Sequence, residues 1–425
     1  MPADTIFALS SGALPAAIAV LRISGPEAGP AGEALAGTLP PEREARLRTL
    51  RSASGQTLDS ALLIWFPGPA TATGEDCIEI HAHGGRAVVA RLAEELRAVG
   101  LREARPGEFT QRAFANGRMD LLEVEALGDL LSAETELQRR IAQESLHGEE
   151  RPAHAWRREV LRLSALLEAS IDFADEDDVD DTAGVPPAVH EGMRALRDAL
   201  FEHLSRPTTQ RLREGVRIAL AGPPNSGKST LFNALVRDAA ALTSPIAGTT
   251  RDVLERSIAL AGVPITLLDT AGLRSDSPDA IEQAGIARAR HHIDQADIVL
   301  WLGPEGEGPS GALEIESMSD RSDRAGKQKA DHIVSALTGE GMAEFETALA
   351  DKARQMLPKP GQNAFSERQR DLAQKASVIL SDEQRDPLLV AEQLRTVRMA
   401  FDMMIGYTST EEMLDTLFSG FCIGK

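Results

Sequence analysis

Val216-Arg217-Ile218-Ala219-Leu220-Ala221-Gly222-Pro223-Pro224-Asn225-Ser226-Gly227-Lys228-Ser229-Thr230 is a strand, a loop and the first turn of a helix written in 15 residues. Five of the six residues from Val216 to Ala221 are apolar, as a buried parallel strand requires. Gly222-x-x-x-x-Gly227-Lys228-Ser229 follows at once, and Leu231-Phe232-Asn233-Ala234-Leu235 carries on as a helix. The pattern is a phosphate-binding loop. Its glycines let backbone N–H groups turn inward on phosphate oxygens, Lys228 reaches the β- and γ-phosphates, and the Ser229 hydroxyl ligates Mg2+ at the helix N-terminus. Asn225, Ser226, Gly227, Lys228, Ser229 and Thr230 are therefore the candidate nucleotide contacts of the loop.

Downstream, Thr249-Thr250-Arg251-Asp252 lies about 20 residues after the loop, where GTPases place the switch threonine that meets the γ-phosphate and Mg2+. The strand pattern Val263-Pro264-Ile265-Thr266-Leu267-Leu268 then runs into Asp269-Thr270-Ala271-Gly272. Asp269 is placed to hold Mg2+ and the Gly272 amide to sense the γ-phosphate. Loop, threonine and DTAG in that order signal a switching GTPase fold. The next residue is Leu273, where Ras-like enzymes use a glutamine to orient the attacking water. A leucine cannot do this, and an arginine finger, worth roughly 10³–10⁵ in rate, would need a substitute. Asn225 offers a carboxamide oxygen to a monovalent cation beside the phosphates, and Glu282 a carboxylate to position water. For the base, an Asn-Lys-x-Asp element is expected after the strand at 311–316, but the chain has Ser317-Met318-Ser319-Asp320. Gln328-Lys329-Ala330-Asp331 matches better letter by letter, yet Asp331 is only four residues from Ser335-Ala336-Leu337, too few for the usual intervening element. Asp320 is accordingly the candidate guanine-reading carboxylate.

The 425 residues exceed one ordinary core and point to two or three domains, and 42% hydrophobic with 26% charged residues describe a globular chain. No apolar run reaches the ~18 residues of a membrane span, and the start lacks a signal-like segment, so a cytoplasmic protein is expected. Two cysteines, Cys77 and Cys422, make no disulfide framework. A formal net charge of −20 argues against direct nucleic-acid binding by the bare chain, since phosphate contacts require cationic surface. RNA would come through a local basic patch or a basic partner.

Residues 4–115 have a mixed α and β texture, with strands at 18–23 and 60–66 and a helix from Gly84-Gly85 to Arg97. His81 and His83 alternate on a strand and so share a face, but no further Cys/His cluster completes a zinc site; a polar pocket wall fits them better. From Asn116 the period changes to 3.6. A helix opens with a capping box at Asp120 and Glu123 and is expected to continue to about His147, followed by helices at 153–171 and 187–204. The acidic run 172–181 between the last two reads as a solvated turn. Helices return at 365–380, 388–404 and 410–418. The expected class is multidomain α+β and α/β: an N-terminal domain at 1–116, a helical domain at 117–214 and 357–425, and an inserted Ras-like G domain at 215–356.

Taken together, DTIFALSSG, LRISG, TGEDCIEIHAHGG, ARPGEFTQRAFANGRMDLLEVEAL, IDFADED, GPPNSGKS, IAGTTRD, DTAGLR, IEQAGI, SALTGEG and the terminal FCIGK closely resemble the MnmE (TrmE) tRNA-modification GTPases over nearly the whole chain. The resemblance implies an N-terminal domain that binds folate and forms a homodimer, and a G domain activated by potassium. It further implies that the protein works with an FAD-dependent partner of the MnmG (GidA) type. The two would place an aminomethyl or carboxymethylaminomethyl group on C5 of the wobble uridine (position 34) of certain tRNAs, with 5-formyl- or methylene-tetrahydrofolate as donor. Carried over residue by residue, K+ would meet Asn225, Ser244, Ile246 and Thr249 within the loop Ser244-Pro245-Ile246-Ala247-Gly248-Thr249-Thr250, and Mg2+ would meet Ser229 and Thr250. Glu282 would orient water, Arg22, Glu79, Arg118 and Lys425 would touch folate, and Cys422 would act in the modification chemistry.

Two other classes compete. One is a GTP-regulated dimeric scaffold with an eroded base-recognition element and slow or no hydrolysis. The other is a folate-dependent one-carbon enzyme that uses its G domain as a timer. The Ser317-Met318-Ser319-Asp320 element separates the first of these from an active GTPase.

Overall fold

The computed structural model describes residues 4–148, 151–172, 184–238, 240–241, 255–269, 292–321, 326–421 and 424. They fall into two compact units, Met1–Glu125 with Ile405–Lys425, and Ala126–Met404.

The first unit opens with β1 (Ile6–Leu9), β2 (Ala16–Ser24), α1 (Ala28–Ala36), β3 (Arg46–Arg51), β4 (Thr57–Phe66), β5 (Cys77–Gly84), α2 (Arg86–Ala98), β6 (Arg102–Glu103) and α3 (Glu108–Ala115). Its six strands lie in the order β3-β4-β5-β2-β1-β6. Alternation decides the faces: on β5, Ile78, Ile80 and Ala82 are buried with Leu21, Ile23, Leu63, Leu92 and Leu96, while Glu79, His81 and His83 point the other way. One face of the sheet is thus a core and the other a polar wall.

Next come α4 (Leu121–Leu131), α5 (Glu136–His147), α6 (Pro152–Asp172), α7 (Pro187–Leu204) and α8 (Thr209–Glu214). The capping box expected at Asp120 and Glu123 forms, each backbone N–H meeting the other's carboxylate at 2.8 Å. The single long helix expected to His147 does not. Ser132 turns its hydroxyl back on the carbonyls of Gly128 and Asp129, and Thr135 opens a new helix through a capping box with Gln138. Polar side chains that satisfy helix-end groups outcompete continuity here. The acidic run lies almost wholly outside the described residues.

The nucleotide module follows: β7 (Val216–Ala221), α9 (Lys228–Asp238), β8 (Ala240–Ala241), β9 (Glu255–Leu260), β10 (Val263–Asp269), β11 (Ile298–Trp301), β12 (Leu313–Ser317), β13 (His332–Val334) and α10 (Met342–Gln355). The sheet order is β13-β12-β11-β7-β10-β9-β8, with β7 parallel to both β10 and β11 and the edge pair β8-β9 antiparallel. This is the Ras-like arrangement, and β7 is nearly all buried because helices cover both faces of a central parallel strand. Ile141 of α5 and Leu212 of α8 share the core of β7, β10 and α10.

The chain closes with α11 (Glu367–Leu380), α12 (Pro387–Ile405) and α13 (Glu411–Ser419). Buried Trp156, Val160, Leu163 and Leu167 on α6 face Val189, Met193, Leu196 and Leu200 on α7 at helical spacing. Trp156 packs edge-on to Phe365 at 5.9 Å and tilted to Phe401 at 5.8 Å.

Candidate functional site

The phosphate loop leaves β7 at Gly222 and enters α9 at Lys228. Gly222, Asn225 and Gly227 carry φ of +150°, +61° and +98°. Gly227 needs its missing side chain twice over: its φ is left-handed, and a Cβ would come within 3.0 Å of Met318 Cε and 3.1 Å of Ser317 Oγ. Lys228 donates to the carbonyls of Gly222 and Pro223, both at 2.8 Å, which folds its ammonium over the loop. Asn225, Ser229 and Thr230 are exposed, and Ser226 is buried. Asp269 ends β10 opposite Leu220, one position short of the end of β7, so the chain enters the DTAG segment beside the loop.

Ser317 closes β12 and donates its hydroxyl to the Ser226 carbonyl at 2.5 Å. Asp320 follows, and its Oδ1 accepts from the fully buried Ser335 hydroxyl at 2.5 Å. Ser335 in turn accepts from the Thr338 amide at 3.2 Å. Ser335-Ala336-Leu337 therefore stands next to Asp320, with Leu337 80% exposed. Asp331 is engaged elsewhere: it exchanges hydrogen bonds with the backbone of Glu314, at the opening of β12, about 10 Å along the strand from Ser317. Sequence logic treated Ser317 and Met318 as losses from the Asn-Lys-x-Asp pattern; in the fold they face the phosphate loop. Only the small size of residues opposite Gly227 hints at this in the sequence. Ser244, Pro245, Ile246, Ala247, Gly248, Thr249, Thr250, Thr270, Ala271, Gly272 and Glu282 lie outside the described residues, as does the Asp269 side chain.

In the first unit, Arg22 on β2 stands directly opposite Glu79 on β5 and donates to its Oε1 through Nε at 3.1 Å and Nη2 at 2.9 Å. The Arg22 guanidinium lies 5.9 Å from the Phe109 ring centroid, a cation–π contact. His81 reaches Glu79 Oε2 at 3.4 Å, while His83 bonds to Asp59 at 2.7 Å, so the two imidazoles on one face serve different carboxylates. Burial pushes the Asp59 carboxyl up, but the backbone and ring N–H groups of His83 and the Ser60 amide together hold it below the usual carboxylate range. Among the described residues no group of three or more His, Cys, Asp or Glu side chains is arranged to hold a metal ion. Arg118 is exposed, its side chain alongside Gly74 in the Thr73–Glu75 turn. Cys422 and Lys425 lie outside the described residues; Gly424 between them accepts a hydrogen bond from Ser10.

A buried ion cluster that sequence patterns did not single out lies at the base of this unit. Arg112, 5% exposed, meets Asp4 at 2.8 Å, Glu75 at 3.1 Å and Glu108 at 3.5 Å, and Arg102 bridges Asp4 and Glu108. Burial raises the Glu108 carboxyl, but Arg102, the Arg105 amide and Arg112 outweigh it and bring its pKa down to about 2. Its members come from four separate segments, which no local pattern joins.

The model for the GTP-binding protein TrmE N-terminus matches residues 5–118, and that for the MnmE helical domain matches 121–422. The tRNA modification GTPase MnmE of Erythrobacter litoralis (strain HTCC2594) is 56% identical over 99% of this chain and 100% of its own. That of Novosphingobium aromaticivorans is 52% identical over 99% and 100%, and that of Rhizobium meliloti (strain 1021) 44% identical over 99% of both chains.

Proposed function

Because the chain belongs to the MnmE family of tRNA modification GTPases, we propose that it is a potassium-activated GTPase whose hydrolysis drives C5 modification of the wobble uridine in certain tRNAs. It is a GTP hydrolase acting in tRNA modification. Water attacks the γ-phosphorus, the bond to the β-γ bridging oxygen breaks, and GDP and phosphate leave. Lys228 and the loop amides neutralise charge on the β- and γ-phosphates, Asp320 takes the guanine N–H groups, and Glu282 orients the water in place of the missing glutamine. Ser229 with Thr250 would hold Mg2+, and Asn225 with Ser244, Ile246 and Thr249 would hold K+, which supplies the positive charge an arginine finger gives elsewhere.

The observation that carries the reading is Asn225, exposed on the loop between the two glycine turns at φ +61°, in a chain with Leu273 after DTAG. A left-handed asparagine keeps its carboxamide free of the helix that follows, which suits a cation ligand. Its test is turnover by the full chain with Na+ replaced by K+. A rate that rises several-fold in K+, and no longer does so in Asn225→Ala, is expected; equal rates in both salts overturn the potassium mechanism.

The first unit is read as the folate site. Glu79 offers a carboxylate to the N–H groups of a pterin, steadied by Arg22, whose guanidinium rests on Phe109. Arg118 and Lys425 would meet the negative glutamyl end. The tetrahydrofolate would supply the one-carbon unit and Cys422 would take part in the transfer. Ile18, Leu47 and Leu62 are 57%, 66% and 42% exposed on this sheet, apolar area that a homodimer would cover. With a net charge of −20, tRNA is reached through the FAD-dependent MnmG-type partner. No helix among the described residues is long and apolar enough to cross a membrane.

A further inference from the structure

We infer that Ser317 and Met318 are positioning residues that clamp the Ser226-Gly227 peptide of the phosphate loop, and that selection of the base falls to Asp320 with Ser335. The inference rests on the guanine-nucleotide function proposed above and assigns work to the part of the element that departs from Asn-Lys-x-Asp.

The Ser317 hydroxyl donates to the Ser226 carbonyl at 2.5 Å, and Ser226 is 3% exposed, so water does not compete for that oxygen. A peptide plane is rigid, and in a trans peptide its C=O and N–H point in opposite directions. Fixing the carbonyl of Ser226 toward Ser317 therefore fixes the N–H of Gly227 away from Ser317, as a phosphate-binding loop needs. Met318 holds the other end of the same peptide. Its methyl lies so near the Gly227 Cα that a Cβ there would be 3.0 Å from it. Met318 itself sits at φ +62°, a conformation that L-residues rarely adopt outside functional sites and that neighbouring structure must enforce. The strand end thus grips the loop at a carbonyl and at an adjoining Cα.

Two residues on, the geometry serves the base. The single hydroxyl proton of Ser335 goes to Asp320 Oδ1, while its lone pair takes the Thr338 amide. The Ser319 amide is tied to the Val334 carbonyl at 3.2 Å, which fixes the backbone on which Asp320 stands. Asp320 is left as an oriented acceptor pair, with no asparagine or lysine beside it. Loop affinity and base choice are consequently carried by separate residues of one short segment.

The experiment measures binding of GDP and XDP to the full chain by calorimetry. Ser317→Ala weakens both nucleotides by the same factor, roughly tenfold for one lost hydrogen bond to a buried carbonyl, and leaves the GDP-to-XDP ratio unchanged. Ser317→Thr, which keeps the hydroxyl, restores affinity to within a few-fold of the native chain. Asp320→Asn instead inverts the ratio toward XDP. Wild-type affinity in Ser317→Ala, a changed ratio in that variant, or a threonine variant as weak as alanine would each overturn the inference. Failure of the guanine assignment is visible separately, as an unmodified chain that prefers ADP to GDP.

Discussion

The hydroxyl of Ser10 donates to the carbonyl of Gly424 at 3.0 Å, joining residues 414 positions apart within one compact unit. Gly424 has φ +93°, and a Cβ on it would stand 2.5 Å from the Leu9 carbonyl oxygen. Only glycine makes this approach, and the residues it anchors between are Cys422 and Lys425. Gly424→Ala is expected to abolish wobble-uridine modification, read by mass analysis of tRNA from complemented cells, while GTP turnover stays within twofold. Equal loss of both would mean that the contact serves the whole fold rather than the tail.

Glu79 is the carboxylate on which the folate assignment stands, since Arg22 and His81 both converge on it. Glu79→Ala should weaken binding of 5-formyltetrahydrofolate at least tenfold in calorimetry, the effect of removing a charged hydrogen-bond acceptor. Unchanged folate affinity would remove this residue from the site.

The Asp4, Glu75, Arg102, Glu108 and Arg112 cluster makes the first unit acid-labile. Glu108 has a folded pKa of about 2 against an ordinary value of 4.5. A depressed carboxylate contributes stability that is full above the unfolded value and is lost as pH falls through 4.5 toward 2. That loss amounts to about 3 kcal/mol for this group. Glu108→Gln should therefore be less stable than the native chain at pH 7 in urea unfolding, with the gap closing below pH 3.

Gln138 closes the capping box of α5 and also donates through Nε2 to the Leu212 carbonyl at 3.0 Å, both residues buried. Gln138→Ala leaves that carbonyl and the Thr135 amide without their partner and should cost about 1–3 kcal/mol. The loss is measurable as a lower urea midpoint with an unchanged slope. A neutral substitution would show that water replaces the amide.

Strand, glycine loop and helix at 216–230 were legible from the letters because each depends on neighbours a few residues away: apolar continuity, glycine where φ must be positive, and the 3.6-residue period. The same holds for the alternation of β5, which puts Glu79, His81 and His83 on one face, and for the Asp120 capping box. Local rules misjudged the helix through 132–135, since a hydroxyl that can satisfy helix ends leaves no trace in hydrophobic periodicity. Nor could they find what Ser317 does, because its partner Ser226 lies 91 positions earlier and meets it only when β12 and β7 enter the same sheet. Arg112 is the same case, its charge buried among carboxylates at positions 4, 75 and 108. Chain-local sterics and hydration wrote the elements and the motif; which polar groups meet in the interior was settled by the closure of the two sheets, where desolvation makes each buried group depend on a distant partner.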